Sequence, residues 1–384
     1  MLAAASPPEN ELDRLSRRGL IHPNALSTFA CVGEYAFGQN MLREVAYETV
    51  LKRDRQRYHA NVAAWLAEIT QASGRSDEHL ALIAEHYDRA GDSLQAAGWY
   101  LRAGQRALTQ GAPRQARGFF DRALELLPAS EQESRWLLLL GRNEALGVLG
   151  ERLARQADEQ ALLSLAQQAG NESWLAEAYY RTGVSATSCG DERSALQAYQ
   201  TAIAIARNTS EQRLVALSLA LAAISQTRLG DMHGAGQSAS QALELSRMID
   251  DDKTLAYVLT NVAVHYSEIG DLSRAQELLQ EQIRSTHRLG NRLGEAVGLS
   301  NLGYGYTQLG EYTAAQTALD ESLRLAQAIG ARQYQAYAQL NLGLVHWRMG
   351  NFAAAAEILE QPLLTLAGIT DQFGRAAEIG RAHV

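Results

Sequence analysis

From about residue 130 onward, stretches of roughly 18 residues with apolar and polar positions interleaved alternate with short breaks, and the breaks keep time. One ladder of breaks runs Gly150-Glu151, Gly190-Asp191, Gly230-Asp231, Gly270-Asp271, Gly310-Glu311 and Gly350-Asn351, every step forty residues. A second ladder lies halfway between, at Gly170-Asn171, Thr209-Ser210, Asp250-Asp251, Gly290-Asn291 and Gly330-Ala331. Two breaks per period predict two helices per period, each of about 27 Å at 1.5 Å per residue. Gly can take the left-handed conformation that closes a helix without a Cβ clash. Asp191, Asp231, Asp271 and Asn351 can accept a hydrogen bond from the free N–H groups of the next helix; Glu151 and Glu311 are weaker caps.

Small residues keep the same beat. Gly183, Ala223, Ala263, Gly303 and Gly343 recur in the first helix, and Ala195, Ala235, Ala275, Ala315 and Ala355 in the second. Small side chains let the helices cross closely, and larger neighbours such as Tyr306 and Leu319 fill the adjoining grooves. One hairpin cannot bury its own apolar stripe, so neighbours must stack into a solenoid. The stretch 71–128 reads as earlier, less regular hairpins, with turn signals at Gly91-Asp92 and Gly111. His79 and His86 there lie seven apart on one helical face, which suits packing better than a metal site, since a metal wants three or four ligands.

The recurring small residues, the aromatic three positions on (Tyr266, Tyr306), the Gly turn and the second-helix Ala resemble the tetratricopeptide repeat family, in the extended forty-residue form of signalling ATPases and cargo adaptors. The resemblance covers about 130–367. It implies an all-α, right-handed superhelical solenoid whose concave wall is lined by first helices. In peptide-binding members of that family an Asn before a Leu-Gly pair clamps a peptide backbone. Asn301-Leu302-Gly303 and Asn341-Leu342-Gly343 match, and Asn261-Val262-Ala263 nearly does. An Asn amide both donates and accepts, so a ladder of them can hold an extended chain. Tyr257, Tyr304, Tyr337, Trp347 and Arg348 on the same wall are the expected sources of selectivity; facing solvent or bonding to the next helix is the alternative role for the asparagines. Earlier repeats carry Arg181 and Leu221 at the Asn position.

Residues 1–70 do not follow the beat. ELDRLSRRGLIHP reads as a short helix closed by Gly19, FACVGEYAFGQ as a small β-hairpin, and the stretch from Asn40 to Ile69 as strongly helical, with Leu42, Val45, Ala46, Val50 and Leu51 on one side. Helix, hairpin and helix suggest the end of a winged-helix unit. EYAFGQNMLREVAYETVLKRDRQRYHANVAAWLAE followed by LIAEHYDRAGD resembles the tail of the STAND class of signal-transduction ATPase module, which in many bacteria sits between a class III adenylate/guanylate cyclase or kinase domain and a tetratricopeptide array. Gln39 stands where that family usually has a His able to touch nucleotide phosphates. The resemblance implies that ATP and Mg²⁺ belong to a module upstream of Met1, acting on this arm in cis.

Composition narrows the partners. The net charge is −8, and residues 1–60 hold eight Lys/Arg against seven Asp/Glu, a balance of +1, too little for a phosphate-tracking surface. The only lysines, Lys52 and Lys253, lie outside any Gly-rich phosphate loop. No His-Glu-x-x-His, Gly-x-Ser-x-Gly or metal-spaced Cys/His set is present, so no catalytic, metal or cofactor residue is assigned and a non-catalytic chain is expected. Two distant cysteines, Cys31 and Cys189, suit reduced thiols and a cytoplasmic setting. No signal peptide or membrane-length apolar run is visible. Near the end, Pro362 is expected to kink or stop its helix. The final EIGRAHV reads as a translated adapter sequence, so 378–384 is left out of the fold within a tail, 368–384. The expected organisation is therefore 1–70 winged-helix remnant, 71–128 irregular hairpins and 129–367 repeat array.

Overall fold

A computed structural model of the chain describes residues 9–24, 33–72 and 79–367. It holds α1 (Glu9–Arg17), β1 (Ile21–Pro23), β2 (Tyr35–Phe37), α2 (Asn40–Thr49), α3 (Lys52–Ala72), α4 (Leu80–Ala90), α5 (Ser93–Thr109), α6 (Pro113–Leu126), α7 (Gln132–Leu149) and α8 (Arg152–Ala169). Five forty-residue hairpins follow. They are α9 (Glu172–Ser188) with α10 (Glu192–Asn208), α11 (Gln212–Arg228) with α12 (Met232–Met248), α13 (Asp252–Glu268) with α14 (Leu272–Arg288), α15 (Arg292–Leu309) with α16 (Tyr312–Ala328), and α17 (Arg332–Arg348) with α18 (Phe352–Ala367). The chain divides into two compact units. One takes residues up to Arg106 together with Gly118–Leu138; the other takes Ala107–Arg117 and the residues from Leu139 on.

In the second unit the turns obey the ladder. Gly150, Gly190, Gly230, Gly270, Gly310 and Gly350 all take positive φ, between 70° and 88°. Asp191, Asp231 and Asp271 accept from the N–H of Ser194, Gly234 and Arg274 at 3.2, 2.9 and 3.1 Å. Asn171 and Asn291 cap in the same way, while Glu151 and Glu311 make no side-chain cap bond. The half-way ladder bends its rule twice. Ser210 adopts a left-handed φ of 59° that the other steps give to Gly, and the break at Asp250-Asp251 closes through Ile249 in an extended conformation.

Within a hairpin the small first-helix residue faces the residue sixteen positions later. A Cβ on Gly183 would lie 2.5 Å from the Tyr199 ring; Gly303 and Gly343 stand against Leu319 and Leu359 in the same way. Gly104 against Phe120 repeats this spacing in the first unit, so the α5–α6 pair obeys the same crossing rule. The α7–α8 hairpin breaks it with polar groups. Asn143, Arg155 and Glu159 take the positions of Gly183, Ala195 and Tyr199, and Asn143 and Glu159 are buried. Arg142 pairs there with the buried Asp158 (2.9 Å from Nε to Oδ2). α11 sits at the centre of the main core and is buried on every face from Leu214 to Ser225.

Three expectations need correction. The β-hairpin exists, but its strands are Ile21–Pro23 and Tyr35–Phe37, antiparallel with Ile21 opposite Phe37, and not two halves of the stretch 29–39. The long helix from Asn40 is two helices, because Val50 turns extended (ψ 133°); Val45 and Leu51 on its supposed core side are exposed. His86, expected to pack rather than bind metal, packs against α3: its Nδ1 lies 2.8 Å from Nδ1 of His59 on that helix, and His59 Nε2 lies 2.9 Å from the Tyr47 hydroxyl. Finally, Pro362 does not stop α18, which runs on to Ala367. The residue Cys31 and the tail 368–384 lie outside the described residues.

Candidate functional site

Each second helix packs on its own hairpin partner and on the next first helix, whereas the first helices α9, α11, α13, α15 and α17 also pack on one another in series. That series makes one continuous wall. The ladder position on it reads Arg181, Leu221, Asn261, Asn301, Asn341.

The wall is closed over α11. Leu217 and Leu221 are only 6 and 7% exposed, and the Tyr180 hydroxyl donates to that of Tyr257, two repeats on, at 3.4 Å. Arg181 donates from Nε to Glu177 at 2.8 Å, and Arg213 approaches the same carboxylate at 3.5 Å. Burial opposes the charge of Arg181, but the Glu177 carboxylate, helped by Tyr180 and Glu144, holds the guanidinium above its ordinary pKa.

Between α15 and α17 the wall opens into a cavity of about 510 Å³. Val297, Asn301 and Tyr304 line it from α15; Tyr334, Tyr337, Leu340 and Asn341 line it from α17. The α15 side of the lining is small at Ala296 and Ser300, while α17 brings Tyr334, Tyr337 and Leu340. Polar side chains from the second helices pin the α15 side. Gln282 Nε2 donates to the Gly294 carbonyl at 2.9 Å and Ser322 Oγ to that of Ala296 at 2.7 Å. The rings of Tyr334 and Tyr337 stand 5.9 Å apart at 76°, edge toward face, a favoured aromatic arrangement. Gln333 Nε2 donates to the Tyr337 hydroxyl at 3.0 Å. Burial pushes both phenols up, and Tyr337, Glu144 on α7 and Tyr257 add to the effect at Tyr334. None of the lining side chains is charged.

The eight residues singled out from the sequence part company here. Asn301, Asn341, Tyr304 and Tyr337 meet at the cavity. Asn341 spends its amide on the neighbouring helix, donating to Ser300 Oγ at 3.1 Å and to the Ser300 carbonyl at 3.4 Å. Asn261 donates to the Tyr257 carbonyl of its own helix at 2.8 Å. Asn301 has no hydrogen-bond partner for its side chain among the described residues, so its amide is available. Tyr257 and Asn261 belong to the repeat before the cavity. Trp347 and Arg348 end α17, with the guanidinium 5.7 Å from the indole ring, and do not line this cavity. Tyr334 was missed, although its i, i+3 spacing from Tyr337 puts both on one helical face. Among the described residues no cluster of His, Cys, Asp and Glu could hold a metal, and no helix is long and apolar enough to cross a membrane.

The tetratricopeptide repeat family model matches residues 294–362, the stretch holding α15, α16, α17 and most of α18. Among solved structures, a Rap protein complexed with Competence and Sporulation Factor superposes with a TM-score of 0.62 at 13% identity, over 85% of this chain and 89% of that one. Aspartyl phosphate phosphatase F from Bacillus subtilis superposes with a TM-score of 0.53 at 11% identity, over 73% of each chain. At these identities the likeness is one of fold. No curated protein matches the chain in sequence. The fold is thus an all-α solenoid of tetratricopeptide-like hairpins, with a small two-stranded sheet near its N-terminus.

Proposed function

We propose that this chain is a non-catalytic interaction arm that takes an extended peptide segment of a partner along the wall of first helices, at α15 and α17. The observation that carries the reading is a preformed cavity beside an amide, Asn301, that the fold itself does not use. A half-buried, unpartnered amide that can donate and accept suits a peptide group whatever its side chain. The Rap protein with the same fold was crystallised complexed with a factor, which supports a binding role for the architecture. The sequence motif from Glu34 to Glu68 supports a finer placement, as the sensor arm of a STAND-type ATPase in the cytoplasm, possessing its ATP and Mg²⁺ in an upstream module. Occupancy of the groove then acts on that module by favouring one of two packing states, which requires different affinity for the two.

A random twelve-residue peptide display library panned on the purified chain tests the reading. Selected peptides should lose about fivefold in affinity with Asn301→Ala, since one such hydrogen bond contributes about 1 kcal/mol. Asn261→Ala should leave affinity unchanged, because that amide is bonded to its own helix. A panel without binders, or binders indifferent to Asn301→Ala, refutes the groove.

A further inference from the structure

We infer that the cavity between α15 and α17 receives one bulky uncharged side chain of the groove's occupant and is its anchoring subsite. The inference rests on the peptide-groove reading above and adds which chemistry the occupant must carry.

The lining sets the chemistry. Val297 and Leu340 give the lining aliphatic surface, and Tyr304, Tyr334 and Tyr337 give it three aromatic rings. A charged side chain entering such a space would leave water for a site without a counter-charge, which costs more than the contacts return. An acidic one would also meet the negative charge of Glu144, close enough to Tyr334 to perturb its phenol. A basic one could not pair with Glu144 directly, since that carboxylate is not among the lining groups. An apolar group meets none of these costs and gains by leaving water.

Geometry and size agree. The volume, about 510 Å³, falls within the usual range of ligand sites, about 300–1,000 Å³. The near-perpendicular pair Tyr334–Tyr337 presents one ring edge and one ring face, so a third ring can join edge-to-face. The walls are fixed before anything binds. Gln333 holds the Tyr337 hydroxyl, and Asn341 is tied to Ser300 across the two helices. A preformed wall loses little freedom on binding. Over α11, by contrast, the wall is filled by buried Leu217 and Leu221 and crossed by the Tyr180–Tyr257 hydrogen bond.

The same display library reads the proposal through sequence. Selected peptides should share one fixed position enriched at least fivefold in Leu, Ile, Met, Phe or Trp. In a representative peptide, changing that residue to Ala should weaken binding about tenfold. Tyr304→Ala in the protein should do the same, and the double change should lose little more than either alone. Norleucine at the fixed position should outbind Lys, which has a similar chain with a charge, by tenfold or more. If Tyr304→Ala disturbs thermal unfolding, Val297→Trp, which narrows the cavity from α15, serves instead. Peptides that bind through Asn301 but fix a Lys, Arg, Asp or Glu, or show fully additive losses, overturn the anchor while the groove stands. A library without binders removes the groove, and the anchor with it.

Discussion

Gly303 shows how much one missing methyl decides. A Cβ there would lie 2.5 Å from Leu319 Cγ and 3.2 Å from the Ala315 carbonyl oxygen. Leu319 is fully buried and has no room to retreat. Gly303→Ala should therefore destabilise by about 1–3 kcal/mol, as overpacking of a filled core does. Leu319→Ala alone should also destabilise, by about 2–5 kcal/mol through the void it leaves. Combined, the two should cost less than their sum. The pair at Ala223 and Ala239 already uses two small residues at the same crossing, and both are fully buried. Urea unfolding of the four proteins gives the coupling directly, and strict additivity would refute the steric account.

At the scale of the element, one turn departs from its companions for a reason that can be corrected. Ser210 stands at φ 59° where Gly170, Gly290 and Gly330 fill the matching step. A Cβ in the left-handed region costs about 1–2 kcal/mol, and glycine's extra freedom when unfolded returns part of that saving. Ser210→Gly should then stabilise by roughly 0.5–1 kcal/mol, read as a rise in Tm. A fall would mean that the serine side chain supports the turn more than its backbone strain harms it. Nearby turns need no such correction, since their glycines and the capping aspartates Asp191, Asp231 and Asp271 already satisfy both sides of each break.

On the scale of the molecule, each compact unit meets acid in its own way. In the first unit, burial lowers the pKa of His86, to about 4, with His59 and Arg89 adding to the effect. Burial likewise lowers that of His59, helped by Arg89 and Arg55. Both rings are thus neutral in the folded unit at pH values where the unfolded chain, with histidines near pH 6.5, already binds protons. Protons then favour unfolding, and stability contributed by the neutral pair is lost as pH falls from about 6.5 toward 4. Amide exchange at Ile83, next to the pair on α4, should accelerate across that window. His59→Gln with His86→Gln should flatten the dependence, and an unchanged slope would place the sensitivity elsewhere. In the second unit Asp251, whose pKa is lowered chiefly by its bond from Thr254, and Asp191, lowered chiefly by Ser194, titrate below the ordinary carboxylate range, so their contribution persists above it.

The forty-residue rhythm, the paired helices, the glycine turns and the aspartate caps were all determined by sequence, because each is a local matter of φ, of free N–H groups and of an apolar stripe that repeats. Sequence also pointed to the wall of α13, α15 and α17 as the place to look, through the words around Asn261, Asn301 and Asn341. Only tertiary structure decided what those asparagines do. Identical positions in three repeats face different neighbours, so Asn261 turns to Tyr257, Asn341 to Ser300, and Asn301 to no one. Tertiary structure also paired β2 with Ile21–Pro23 and His86 with His59, since long-range partners leave no local trace in spacing. The cavity itself forms where α15 and α17 meet across a repeat boundary, with a lining that neither helix carries alone.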